Sequence, residues 1–171
     1  MGNIITPSPA VARIEQRTPS TCWLACSKMM YKWKGKPTGD VDTLLINASR
    51  TDDRVDYDLW CRAGVDTDDL LPLAKTLGFK WGGGGKLTYP QLLDAVKTWG
   101  PILAVGEWNQ HSHVVVISEI EETTDEDKYT VAKVLVANPW FGCPEREPRN
   151  LYWLNGGLGH WCGISGQYMH W

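Results

Sequence analysis

The sequence contains no apolar run that approaches the ~18 residues needed to cross a bilayer, so no integral membrane segment is expected. It has no basic stripe and carries a net charge of −3, which argues against nucleic acid as a partner. Residues 1–12 lack the basic and apolar regions of a Sec-type signal peptide. We therefore expect a protein that stays in the cytoplasm or is exported by a dedicated secretion system. Gly2 and Thr6 fit the short myristoylation pattern, which also occurs by accident at ordinary N-termini.

Cysteine and histidine are too few, and too irregularly spaced, to suggest a disulfide framework or a metal site. The five cysteines are an odd number, and no two form Cys-x-x-Cys, so most thiols are expected to be reduced. Only four histidines are present. His111 and His113 form a His-x-His pair that also fits zinc, but no carboxylate or thiol stands at a familiar ligand spacing. We expect no metal and no organic cofactor.

Tryptophan, in contrast, is abundant, with ten residues in a chain of 171. Trp combines a large apolar area with one hydrogen-bond donor, so some of these side chains are expected to line a groove. The hydrophobic fraction of 43% and the charged fraction of 22% are those of an ordinary globular protein. The length suits a single domain.

The first hundred residues carry mainly helical signals. Thr88 and Gln91 form a capping box, and Gly78 is a helix stop signal. The patterns predict helices over 22–33, about 68–77 and 88–99, with one or two short helical turns within 38–63. Gly82–Gly85 with Lys86 resembles a phosphate loop only superficially and predicts a flexible connector that could border a groove as a mobile flap.

The remaining residues are rich in β-branched side chains. They predict strands over 102–108, 111–120 and 129–137, with a turn over 121–128, and further strands over 151–154 and 164–169. A helical half thus precedes a β half, which indicates an α+β fold rather than alternating α/β. We predict one domain over 1–171, with a mainly helical lobe at 1–100 and a mainly β lobe at 101–171.

Cys22 lies in the first turn of the predicted helix 22–33. The unpaired amides and the dipole of a helix N-terminus stabilise negative charge, and the thiolate is the reactive form of cysteine. Cys22 is therefore a candidate nucleophile. The alternative is that it is a small buried residue, as Cys26 one turn later also is.

A base and an orienting group follow Cys22 along the chain. His113 lies at the start of a predicted buried strand, immediately before an apolar run, whereas His111 lies closer to the loop. Asn138 ends the next predicted strand, and a neighbouring antiparallel strand can bring its amide beside His113 to set the imidazole tautomer. Asn138-Pro139 also fits a simple turn signal.

An oxyanion hole needs donors aimed at the developing negative oxygen. The Cys22 backbone N–H is one candidate. The side-chain amide of Gln16, six positions earlier, is the other.

These residues resemble the motifs of papain-like cysteine peptidases. The string Gln16-Arg17-Thr18-Pro19-Ser20-Thr21-Cys22-Trp23 resembles the oxyanion glutamine and nucleophile Cys-Trp of that family, although the earlier cysteine and glycine of the papain signature are missing. Asn138-Pro139-Trp140 resembles its Asn-x-Trp, in which the indole shields the Asn–His hydrogen bond. The short interval from Cys22 to His113 is similar to that of two bacterial branches: the staphopain and plant-pathogen effector group, and the peptidase domain that trims double-glycine leaders.

The resemblance implies a papain-like fold, with the nucleophile helix packed on a C-terminal antiparallel sheet or half-barrel. It implies a protease with Cys22, His113 and Asn138 as its triad, Gln16 in the oxyanion hole, and Trp23 and Trp140 as shielding or groove residues. It further implies a peptide or protein substrate, a role as bacterial effector or toxin, and an inhibitor or immunity protein as a possible partner.

Two alternatives remain at this point. The same machinery serves amidases (including those acting on peptidoglycan), deamidases and acyltransferases, because fold and triad do not determine the substrate. A papain-like fold can also persist as an inactive binding module whose Trp-rich groove holds a peptide.

Overall fold

The computed structural model describes residues 3–108, 110–122, 133–159 and 167–171. Its helices are α1 (Cys22–Trp33), α2 (Gly39–Ala48), α3 (Tyr57–Ala63), α4 (Leu70–Leu77), α5 (Tyr89–Trp99) and α6 (Leu151–Leu158). Its strands are β1 (Asn3–Ile5), β2 (Lys80–Gly84), β3 (Ile102–Trp108), β4 (His111–Glu122), β5 (Lys133–Ala137), β6 (Glu147–Asn150) and β7 (Gln167–His170). The fold is therefore α+β, as predicted. No helix within the described ranges is long and apolar enough to cross a membrane.

One antiparallel sheet organises the molecule. The strand order is β2-β7-β3-β4-β5-β6, and β1 pairs with the far end of β4. Both halves of the sequence contribute strands to this sheet, because β1 and β2 come from the first hundred residues.

Helices cover both faces of the sheet. Successive residues of a strand point to opposite faces and therefore pack in two separate cores. Val114 and Val116 of β4 pack in the core formed with α1 to α4. Val115 and Ile117, which point to the opposite face, pack in the core formed with α5 and α6. The centre of β4 is thus buried on both faces, as its apolar run from Val114 to Ile117 requires.

The best predicted elements are those with strong local signals. Helix α1 has the predicted bounds, and β3 has the predicted range. The Thr88–Gln91 capping box of α5 is present, with reciprocal side-chain and backbone hydrogen bonds. Gly78 ends α4 in the left-handed conformation, with φ of 73°.

Helix α4 begins later than predicted. Its N-cap is Asp69. The Asp69 carboxylate accepts a hydrogen bond from the backbone N–H of Asp66 at 2.7 Å, closing a turn before the helix. The predicted short turns within 38–63 are two full helices, α2 and α3.

The prediction of a strand over 151–154 is wrong. These residues begin α6, whose first turn is capped by the Asn150 side chain accepting from the Trp153 N–H at 2.8 Å. Leu151, Leu154 and Leu158 recur at helical spacing and are fully buried, so packing of one helical face outweighs the β-propensity of the segment.

The prediction of a flexible glycine connector is also wrong. Gly82 and Gly84 belong to β2, an edge strand paired antiparallel with β7. A Cβ atom at Gly82 would lie 2.5 Å from the Tyr168 ring, and one at Gly84 would lie 2.7 Å from the Gln167 side chain. The glycines therefore make room for β7 side chains.

Some predictions fall partly or wholly on residues outside the described ranges. These are the Gly2 modification pattern, most of the 121–128 turn, and the start of each of the strands predicted over 129–137 and 164–169.

Candidate functional site

Cys22 is the first residue of α1, and α1 packs against β4. The α1 surface below it is apolar and fully buried, with Cys26 donating to the backbone carbonyl of Val114 at 3.2 Å. This contact holds the start of the helix beside the strand that carries His113. Cys22 and His113 line one cavity of about 130 Å³, together with Ser20, Trp23 and Gly64 among others.

The imidazole of His113 is oriented by Asn138. His113 Nε2 lies 2.9 Å from Asn138 Oδ1. Asn138 Oδ1 also accepts from the backbone N–H of Trp140 at 3.0 Å, and Asn138 Nδ2 donates to Glu147 at 2.7 Å. Since the amide oxygen faces the ring, Nε2 carries the proton and Nδ1 is left as the basic nitrogen.

Strand pairing places Asn138 beside His113. The register of β4 with β5 pairs Val116 with Ala137, so Asn138 follows β5 next to the start of β4. Asn138 is 9% exposed. The indole of Trp140 meets the His113 ring edge to face, with ring centroids 5.9 Å apart.

The two predicted tryptophans lie in different environments. Trp23 is fully buried, packs edge to face on Trp60 and donates its indole N–H to the Trp60 carbonyl at 3.2 Å. Trp140 remains half-exposed. Trp23 therefore lines the cavity of Cys22 from the protein interior, whereas Trp140 lies against the His113 ring on the solvent side.

The structure does not bring Gln16 into the cavity that Cys22 and His113 line. Its side chain is buried, and its Nε2 atom donates to the carbonyls of Thr18 at 2.8 Å and Pro19 at 3.2 Å. Both amide protons are thus engaged by the loop that leads to α1. The Gln16 backbone N–H donates to the Pro139 carbonyl at 2.9 Å, which ties this loop to the segment holding Asn138.

Burial opposes charge on both members of the Cys22–His113 pair. It raises the pKa of the Cys22 thiol, an effect that backbone hydrogen bonds at Val114, Trp23 and Cys22 itself offset only in part. Burial also lowers the pKa of His113, whereas the hydrogen bond with Asn138 and the negative charge of Glu147 raise it. Burial therefore opposes the thiolate expected at the helix N-terminus, because desolvation outweighs the backbone hydrogen bonds to the sulfur.

A second cavity, of about 340 Å³, lies on the other side of His113. It is lined by Asn138, Trp140, Arg149 and Trp153 among others. Trp108, Arg149 and Trp153 also line a larger cleft of about 730 Å³. The tryptophans at this site fulfil the expectation that some of the ten would line a groove.

Two residues that contact this site were missed in the sequence. Glu147 accepts from the Asn138 side chain, and the Arg13 guanidinium donates to the carbonyls of Asn138, at 2.6 Å, and Trp140. Glu147 stands in a charged stretch without a diagnostic motif, and Arg13 lies more than a hundred residues from its acceptors. No local pattern could have identified either residue.

Within the described residues, no group of three or more His, Cys, Asp or Glu side chains is arranged to hold a metal ion. The four described cysteines, Cys22, Cys26, Cys61 and Cys143, form no disulfide.

Residues 7–152 match the family model described as papain-like cysteine protease AvrRpt2. No curated protein matches the chain. Among solved structures, the peptidase domain of Streptococcus ComA, a bi-functional ABC transporter involved in a quorum-sensing pathway, aligns with a TM-score of 0.52 and 14% identity. The alignment covers 94% of this chain and 98% of that domain, and at this identity it shows a shared fold.

Proposed function

We propose, for a chain that belongs to the papain-like cysteine protease family AvrRpt2, that Cys22 is the nucleophile, His113 its base and Asn138 the residue that orients the base. The observation that carries this proposal is the shared cavity of Cys22 and His113, with His113 held through Nε2 by Asn138 so that Nδ1 remains basic. The substrate is a peptide or protein, cleaved at an amide bond.

The first half of the reaction forms an acyl-enzyme. Because burial disfavours a standing thiolate, the Cys22 proton moves to His113 Nδ1 as the sulfur bonds to the substrate carbonyl carbon. The carbonyl oxygen becomes an oxyanion, for which we propose the Cys22 backbone N–H at the helix start as a donor. The carbon–nitrogen bond then breaks, and His113 gives its proton to the leaving amine.

The second half releases the product. His113 Nδ1 takes a proton from water, the resulting hydroxide adds to the thioester carbon, and the Cys22 sulfur leaves and regains its proton. Gln16 joins the oxyanion hole only if its amide exchanges one loop carbonyl, Thr18 or Pro19, for the substrate oxygen. The free energy of substrate binding has to compensate for the hydrogen bond that Gln16 gives up.

The test is a comparison of wild type, Cys22→Ala and Cys26→Ala on a peptide library with mass-spectrometric readout. Cys26 is one turn along the same helix and is fully buried, so it is the matched control. We expect Cys22→Ala to abolish cleavage and Cys26→Ala to retain it. Cleavage by folded Cys22→Ala at the wild-type rate would disprove the assignment.

We further propose that the protease is an exported bacterial effector or toxin, restrained in its producer by an inhibitor or immunity protein. The support is the resemblance of the Gln16–Trp23 and His113 motifs to those of the compact bacterial branches. Expression of wild type and Cys22→Ala in the cytosol of a heterologous cell tests this role. Growth arrest by wild type alone is the expected result, and equal growth of both strains would count against it.

A further inference from the structure

The side chain of Asn138 is held on three sides. Its oxygen accepts from His113 and from the Trp140 backbone, and its nitrogen donates to Glu147 Oε2 at 2.7 Å. A carboxylate can only accept hydrogen bonds, so the amide NH₂ must face Glu147 and the amide oxygen must face His113. An amide rotated by 180° would present a donor to Nε2 and favour the imidazole tautomer that cannot take a proton at Nδ1.

We propose that Glu147 is a positioning residue of this protease, which acts through Asn138 to hold His113 in the tautomer with a basic Nδ1. The inference rests on the proposed function of Cys22, His113 and Asn138. Glu147 does not line the cavity that contains Cys22, so its influence on the reacting atoms passes through the amide and the imidazole.

Glu147 is itself held in place. Its side chain is 13% exposed and its Oε1 atom accepts from the Arg149 guanidinium. That guanidinium lies over the Trp153 ring, 4.8 Å from the centroid. Pairing of β5 with β6 sets Glu147 opposite Val136, two residues before Asn138. A hydrogen bond to a charged acceptor is stronger than a neutral one, and this acceptor is rigidly placed.

Glu147 also acts by its charge. The negative carboxylate raises the pKa of His113, while His111 nearby lowers it. Of the other charged or titratable groups, Arg149 pairs directly with Glu147, and Cys143 lies within the field of Glu147, which there combines with those of Arg13, Arg149 and Glu15. Because Arg149 neutralises only part of the carboxylate field, Glu147 favours the imidazolium that forms when His113 takes the Cys22 proton.

The experiment separates these two contributions. Glu147→Gln keeps an acceptor for Asn138 but removes the charge, whereas Glu147→Ala removes both. Asp53→Asn is the control, since Asp53 is an exposed carboxylate on the loop between α2 and α3 and its change alters the net charge equally. Two quantities are measured for each protein: the NMR titration of the His113 ring, and kcat and KM on a cleaved peptide.

We expect the His113 titration to move to lower pH in Glu147→Gln and to stay unchanged in Asp53→Asn. We expect kcat to fall by about 100-fold in Glu147→Ala with little change in KM, since misplacement of a catalytic group by 1 Å can have this effect. Glu147→Gln should retain more of the wild-type kcat than Glu147→Ala. A residue that merely stabilises the fold would lower the melting temperature without moving the titration.

An unchanged His113 titration in Glu147→Gln, or a kcat within twofold of wild type in folded Glu147→Ala, would overturn the proposal. The titration needs no turnover, so it reports on Glu147 even if Cys22→Ala proves active. Failure of the triad and failure of this inference are therefore distinguishable.

Discussion

The indole of Trp140 covers the imidazole of His113 edge to face, with the two ring planes inclined by 84°. The same residue donates its backbone N–H to Asn138 Oδ1 at 3.0 Å. Trp140 therefore helps to aim the acceptor of the His113–Asn138 hydrogen bond, and we expect its indole to screen that bond from water. A hydrogen bond is electrostatically stronger when water is excluded from its surroundings.

The first prediction concerns removal of the Trp140 indole. Trp140→Ala should lower kcat/KM by about 2- to 12-fold, the equivalent of the 0.5–1.5 kcal/mol of an aromatic pair, and Trp140→Phe should restore most of it. The control is Trp81→Ala, because Trp81 on edge strand β2 is 41% exposed, close to the 45% of Trp140. Steady-state kinetics on one peptide substrate give the answer, and equal activity of Trp140→Ala and Trp81→Ala would contradict a screening role.

The second prediction concerns the thiol. Since burial raises the pKa of Cys22, iodoacetamide should label Cys22 at pH 7 more slowly than it labels a small-molecule thiol, with a rate that rises as the pH is increased. Mass spectrometry of the labelled peptide separates Cys22 from the half-exposed Cys61 and Cys143. Rapid labelling that is independent of pH in the weakly acid range would instead reveal a standing thiolate–imidazolium pair.

The third prediction is a loss of stability in weak acid. Burial lowers the pKa of His113 in the folded protein below its ordinary value of about 6.5. As the pH falls through that value, the unfolded chain takes up a proton that the folded protein resists, so the free energy of unfolding decreases until the pH passes below the folded pKa. Above the ordinary value both states hold a neutral imidazole and the contribution vanishes.

Urea unfolding at pH 7.5, 6 and 5 measures this effect. The His113→Gln variant should lose part of the pH dependence seen in wild type, because glutamine does not titrate. Identical pH dependence in the two proteins would mean that His113 is as easily protonated in the fold as in the unfolded chain.

The fourth prediction concerns Arg13, whose side chain is 11% exposed. Its guanidinium donates to the carbonyls of Asn138 and Trp140 on either side of Pro139. Hydrogen bonds to charged groups contribute about 1.5–3 kcal/mol each, so loss of both in Arg13→Met should reduce the free energy of unfolding by about 3–6 kcal/mol. It should also lower kcat by loosening the segment that carries Asn138.

Arg50→Met is the control for Arg13, because Arg50 is exposed just after α2. Urea unfolding with circular dichroism compares the two variants. A decrease in the free energy of unfolding of less than about 0.5 kcal/mol in Arg13→Met lies within the range of ordinary surface substitutions. It would show that water hydrogen-bonds the carbonyls of Asn138 and Trp140 as well as Arg13 does.

Local signals were enough for much of the fold. The apolar spacing of 22–33, the Thr88–Gln91 capping box and the β-branched runs of β3 and β4 each predicted their element. Where the predictions failed, a distant contact decided the outcome. Leu151–Leu154 became helical because Leu151, Leu154 and Leu158 bury one face against the sheet. The glycine run became strand because β7 pairs with Gly83 and Gly84.

The sequence by itself determined the order of the candidate groups: a cysteine at a helix start, a histidine at a strand start and an asparagine after the next strand. These positions can be predicted because the start or end of a helix or strand is signalled by residues next to it in the chain. Only the tertiary structure decided that Gln16 turns its amide to Thr18 and Pro19, that desolvation opposes a Cys22 thiolate, and that Glu147 and Arg13 hold Asn138. The burial of Cys22 beside β4 and the hydrogen bond of Arg13 to Asn138 join segments far apart in the chain. They have no local signature and arise only when the sheet brings those segments together.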